Sequence, residues 1–255
     1  MKEYLVDSLK VKIMPNRTEM GEVAAKDIHD CILALLEKKP EINMIFAAAP
    51  SQNDVLASLI AYTDIDWTRI NAYHMDEYIG LSGEFLAQSF GKFLNDHIFG
   101  KVPFKSVNLI DCKATDSEAE CARYSALLAA NPTDIVVMGI GENGHIAFND
   151  PGVADFNDPA TIKAVPLDDV CRQQQVNDGC FAKFDDVPTH ALTLTVPTLF
   201  RGGYLFCSVP APTKAHAVKE MLTTDKIDEH CPATILRRHG NAVLYCDADS
   251  ASLLA

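Results

Sequence analysis

A mainly parallel β-sheet covered by helices on both faces, the α/β class, is what this sequence predicts. Strand-length apolar runs alternate with amphipathic helical patterns along most of the chain. The segment Asp134-Ile135-Val136-Val137-Met138-Gly139-Ile140-Gly141 is a central-strand pattern bounded by glycines. The 255 residues, 48% of them hydrophobic, are enough for one substantial core, so 1-255 is expected to form a single domain.

Each element has its own signal. Thr18 to Leu36 places Met20, Val23, Ala24, Ile28, Cys31, Ile32 and Leu35 at helical intervals, with Glu19 and Glu22 near the start and Pro40 beyond the end. Ile42 to Ala49 reads as a buried strand stopped by Pro50, and Gln52 to about Tyr62 as a helix with Val55, Leu56, Leu59 and Ile60 on one face. A strand over Arg69 to Met75, a helix over Phe85 to Phe99 and a helix over Asp116 to Ala130 continue the alternation. The last is expected to open with a Thr115-to-Glu118 capping box. Beyond Gly141 come strand-like runs at Ala191 to Val196, Tyr204 to Val209 and Ala242 to Cys246, and a helix from about Lys214 to Leu222. Residues 151–188 lack sustained periodicity, and a segment of that length is either a flap over a site or a surface excursion.

Charge and cysteine usage narrow the partners. Asp+Glu 35 against Lys+Arg 22 leaves −13, which gives no electrostatic reason to approach nucleic acid or an anionic membrane. No stretch approaches the roughly 20 apolar residues of a membrane span, and the acidic Met1-to-Asp7 start is unlike a secretory signal. The eight cysteines are never closer than nine positions, which excludes a C-x-x-C redox or zinc pattern and fits thiols of a reducing cytoplasm. The histidines outside the glycine turn show no metal-ligand spacing such as H-E-x-x-H, so structural or surface roles are expected for them and no metal site is read from spacing. Trp67 reads as core or interface.

Parallel sheets bind ligands beyond the carboxyl ends of their strands. Four strand exits therefore matter: Ala49 to Asn53, His74 to Tyr78, Gly139 to Pro151, and Val209 to Lys214. Gly141 and Gly144 permit a tight turn and close backbone approach, and His145 lies within that turn near Asn143 and Asp150. It either exchanges a proton, with a carboxylate fixing its tautomer, or caps the turn. Of the adjacent acids Asp76 and Glu77, alternation sends only one into the crevice, where burial would raise its pKa toward a base's range. Lys214 at a helix start and Ser51 before another are either anion-binding residues or ordinary caps.

Taken together, these segments resemble the glucosamine-6-phosphate deaminase/isomerase family. His74 to Leu81 resembles its M-D-E-Y-x-G-L signature, Gly139 to Pro151 its G-x-G-x-D-G-H-I-A-F-N-E-P signature, and Val187 to Val196 the strand that follows. Thr213-Lys214 falls where the family has a phosphate-binding lysine. The similarity runs through most of the chain in the same order. It implies a three-layer α/β/α Rossmann-like sandwich and cofactor-free chemistry on a phosphorylated amino sugar, glucosamine 6-phosphate and water giving fructose 6-phosphate and ammonia. By the resemblance, His145 opens the sugar ring, Asp76 moves a proton between C2 and C1, Asp150 orients His145 and Lys214 holds the phosphate.

The sequence departs from the family at the site itself. Asn143 stands in place of aspartate, which is expected to lower the proton affinity of His145, and Asp150 stands in place of glutamate. Pro50-Ser51-Gln52-Asn53-Asp54 replaces the family's T-G-G-T phosphate loop, so Ser51, Gln52 and Asn53 either restrict backbone approach or contact substrate themselves. Arg172 lies in the region of the family's phosphate-binding arginine. A 6-phosphogluconolactonase-like hydrolase and a catalytically silent sugar-phosphate sensor are the competing readings. The sequence leaves a homo-oligomer open.

Overall fold

The computed structural model describes residues 1–177 and 179–254. Among them, eight strands form one sheet. The hairpin β1 (Lys2–Val6) and β2 (Leu9–Ile13) occupies one edge, with β1 antiparallel. Across the sheet follow β11 (Ala242–Cys246), β10 (Tyr204–Val209), β7 (Ile135–Met138), β3 (Ile42–Phe46), β4 (Ile70–His74) and β6 (Ser106–Asn108). From β2 to β6 every pairing is parallel.

The period-two alternation of the strands builds a core on each face. Ile135 and Val137 of β7, Met44 and Phe46 of β3, and Phe206 of β10 pack with α1 (Arg17–Leu36) and α2 (Asn53–Leu59). Val136 and Met138, Ile45, and Leu205 and Cys207 point the other way, against α4 (Ser117–Ala130), α6 (Val196–Phe200) and α7 (Ala215–Thr223). The result is the expected α/β/α sandwich. Trp67 belongs to the first core. No described helix is long and apolar enough to cross a membrane.

A second, antiparallel sheet of β5 (Asp76–Tyr78), β9 (His190–Leu194) and β8 (Ile162–Pro166) sits beside the first. The run from Ala191 therefore leaves the parallel sheet, ends at Leu194, and passes into α6 at Val196, with Pro197 in that helix's first turn. Residues 151–188 contain β8 and α5 (Asp169–Asn177), and a third apolar cluster of Tyr78, Phe90, Phe148, Val165 and Phe181 ties them down.

Three local expectations change. The helix expected over Phe85 to Phe99 is broken at Ser89, whose extended backbone and Oγ cap α3 (Phe90–Leu94), between a 3₁₀ segment and a π-helical turn. Asp116, not Thr115, caps α4, accepting the Glu118 and Ala119 amides. Ser51 caps nothing: it lies inside the 3₁₀ turn Pro50–Gln52, and neither that turn nor α2 has a side-chain cap.

Candidate active site

The chain builds outward from β3 in both directions, through β4 to β6 on one side and through β7 to β11 on the other. The switch point between β3 and β7 is where such sheets bind ligands, and a cavity of about 870 Å³, its open mouth included, lies there. All four strand exits contribute lining: Ala47 to Gln52, Met75 and Asp76, Gly139 to Gly141 with His145, and Pro210, Ala211, Thr213 and Lys214.

Alternation separates the two acids as expected. Asp76 lines the cavity, while Glu77 turns inward and accepts the backbone amides of Tyr78, Phe90 and Gly91 at 2.9–3.0 Å. Burial raises the Asp76 carboxyl well above the usual range, and the neighbouring Glu77 charge adds to it. Burial pushes Glu77 up to about 7 despite its three amide donors. His74, at the end of β4, is fully buried, accepts the Ile110 amide at Nε2 and is pushed by burial down to about 3, so it is a neutral structural residue.

The histidine turn and Asp76 share one support. Asp76 pairs with Thr193 in β9. The Thr193 hydroxyl accepts the Phe148 amide at 3.1 Å, and Asn149 Nδ2 donates to the Leu194 carbonyl at 2.8 Å. His145 Nδ1 lies 2.8 Å from Asp150 Oδ1. That is an ion-pair approach and not an aligned hydrogen bond, since Nδ1 and Asp150 Oδ2 are both buried without a hydrogen-bond partner. Burial alone would raise Asp150, but contacts with His145, Asn143 and Cys171 hold it below the usual carboxylate range. Gly141 makes room for the ring: a Cβ there would fall 2.1 Å from His145 Cε1. Gly144 has φ +79 and does not line the cavity.

Asn143 does not face the imidazole. Its Nδ2 donates to Asp150 Oδ1 at 2.9 Å, and its Oδ1 accepts the His145 backbone amide at 3.0 Å. An ionised aspartate could keep the second contact but would repel Asp150. The amide therefore suits the shorter acid, and its effect on His145 runs through Asp150 and the turn.

Ser51, Gln52 and Lys214 line the same cavity, but Asn53 does not. Gln52 is buried, donating to Ser51 Oγ and the Ser208 carbonyl, with its Oε1 unpartnered. Lys214 is buried at the start of α7. Before it, Ala211 adopts φ 86, ψ 149, a conformation nearly reserved for glycine, and the buried Asp247 accepts its amide. Arg172 is a correction. It lines a separate cavity with Asp185, Asp186 and His190, stacks on Phe184 at 4.1 Å, and donates to the Phe184 and Val187 carbonyls. Its neighbours Gln174 and Gln175 line the central cavity instead, as does Arg17 of α1. The sequence reading missed these three. Arg17 did carry a signal, a cation opening a helix against its dipole, as Lys214 does.

Donor atoms of His145, Asp150 and Cys171 lie within 4.8 Å of one another, the one grouping among the described residues with metal-ligand chemistry. Burial pushes the Cys171 thiol far up, keeping it protonated, and a protonated thiol is a poor ligand. The arrangement is equipped for proton transfer: a carboxyl held toward its neutral form, a histidine against a carboxylate, and a buried amine for an anion.

The family model described as "Glucosamine-6-phosphate isomerases/6-phosphogluconolactonase" matches residues 15–245. A glucosamine-6-phosphate deaminase of Bacillus cereus (strain G9842) is 34% identical over 245 residues, 96% of this chain and 89% of that one. A solved monomeric glucosamine-6-phosphate deaminase superposes with a TM-score of 0.85 at 29% identity, covering 95% of this chain and 99% of that one. The 6-phosphogluconolactonase of Thermotoga maritima shares the fold, with a TM-score of 0.72 at 21% identity over 93% of this chain and 98% of that one.

Proposed function

The chain belongs to the glucosamine-6-phosphate isomerase/6-phosphogluconolactonase family, and from that premise we propose that it converts glucosamine 6-phosphate and water to fructose 6-phosphate and ammonia. The observation that carries the reading is that Asp76, His145 and Lys214, from three separate strand exits, line one cavity.

His145 moves the proton that opens the pyranose ring, with Asp150 2.8 Å from Nδ1 orienting the imidazole. Once the chain is open, the Asp76 carboxylate removes the proton from C2 while the C1 carbonyl oxygen takes up a proton from water, giving an enolamine. Return of the proton from Asp76 to C1 converts this into the C2 ketimine, which water splits into the keto sugar and ammonia. A carboxyl whose pKa is raised by burial is a stronger base than one in water, which suits it to a carbon acid. Lys214 and Ser51, which line the cavity, hold the phosphate. Gln174 and Gln175 place α5 over the sugar, so residues 151–188 serve as the covering flap of a single domain.

The eight cysteines stand as free thiols, which suits a reducing compartment, and we assign the protein to the cytoplasm. The test is ammonia release from glucosamine 6-phosphate by the wild-type chain and by Asp76→Asn. Turnover by the wild type that falls at least about a hundredfold in the variant is expected, and unchanged turnover would remove Asp76 from the mechanism.

A further inference from the structure

We propose that Arg17, the first residue of α1, is a second cation of the phosphate site, gripping the substrate's phosphate ester together with Lys214. The inference rests on the sugar-phosphate reading above and adds a residue which that reading does not contain.

Arg17 and Lys214 line the same cavity, as do Pro50, Ser51 and Ala211. Arg17 is fixed in place. Its Nε donates to the Asp54 carboxylate and its Nη2 to the Pro50 carbonyl, so the guanidinium is pinned to the loop that replaces a glycine-rich one. Those two contacts use part of a fork of five donors, and Nη1 has no partner among the described residues.

Three features make a helix-supporting role an insufficient explanation. A cation at the first position of α1 opposes the helix dipole, and the helix is already capped by Asn16, which accepts the Glu19 amide. Asp54, in the first turn of α2, engages the guanidinium through Nε alone, so this pairing leaves the Nη1 end of the fork unused. And Arg172, the arginine the family pattern pointed to, spends its guanidinium on the Phe184 and Val187 carbonyls at another cavity. Arg17 is thus placed to serve a dianion as the one Arg or Lys among the described residues that lines this cavity besides Lys214.

The test compares R17Q, R17K and D54N with the wild type. Glucosamine 6-phosphate turnover and calorimetric binding of inorganic phosphate are measured for each. R17Q is expected to raise KM and weaken phosphate binding by about tenfold to a hundredfold, with kcat nearly unchanged. D54N removes the paired charge but keeps the cation and its Pro50 contact, so its KM should stay within about threefold of wild type. R17K keeps a point charge without the fork, should fall between, and stands in if R17Q does not fold. Equal losses in R17Q and D54N would reduce Arg17 to a structural partner of Asp54, and R17Q binding phosphate as tightly as wild type would overturn the proposal. If the wild type binds phosphate but releases no ammonia, the sugar-phosphate reaction fails while the binding comparison still judges Arg17.

Discussion

Gly141→Ala isolates the position of the proposed ring-opening imidazole, His145, from the rest of the fold. Gly141 has no left-handed φ, so alanine is allowed by the backbone. The added Cβ would fall 2.1 Å from His145 Cε1 and 2.3 Å from both ring nitrogens, whereas ordinary contact begins at 3.4 Å. The ring must therefore retreat by at least about 1 Å, away from the cavity-facing position beside Asp150. A displacement of that size costs about a hundredfold in rate, near 2.7 kcal/mol of transition-state stabilisation. The loss should fall on kcat, because His145 is assigned to ring opening and not to the phosphate. Ammonia release gives the rate, and denaturant unfolding should show that stability falls by no more than about 1–3 kcal/mol, the cost of a tight core insertion. A folded G141A with wild-type kcat would refute the placement of His145 as the ring-opening group.

Other consequences are as concrete. Glu77 binds its proton more tightly folded than unfolded, so its contribution to stability is complete below pH 4.5 and lost as the pH rises through about 7, a span worth roughly 3 kcal/mol. E77Q should flatten that part of the stability curve, and parallel curves for E77Q and wild type would contradict it. Ala211→Gly relieves a backbone at φ 86, ψ 149 and should raise stability by about 1 kcal/mol in thermal unfolding, whereas a loss would mean that the conformation carries no strain. Because Asp76 must be ionised to accept the C2 proton and burial raises its pKa, the acid limb of kcat/KM should lie above the ordinary carboxylate range. A limb near pH 4 would show a solvated group acting instead.

Much of this was legible because strand exits and glycines mark their own consequences. The run Ile135 to Met138 and its glycine exit fix both a central strand and the cavity beneath it, and Asp76 follows from two-residue alternation after β4. The β1–β2 hairpin was not legible. As an edge ribbon, it mixes charges into its alternation, and Leu5 stays largely exposed. Arg172 shows a different limit. Helical residues turn about 100° each, so Gln174 and Arg172 point about 160° apart. Only the phase of α5 reveals which one meets the cavity. Arg17 reaches the site through partners 33 and 37 residues away, a pairing set by the packing of α1 beside α2 and not by any local pattern.

The central claim, that Asp76 moves a proton from C2 to C1 of an amino sugar phosphate, is tested most directly by running the reaction on glucosamine 6-phosphate in D₂O. Ammonia should appear together with fructose 6-phosphate carrying solvent deuterium at C1, and both should vanish in D76N at pH 7 while phosphate binding persists. Hydrolysis of 6-phosphogluconolactone with neither ammonia nor deuterium exchange would contradict the account and make the chain a lactonase on the same fold.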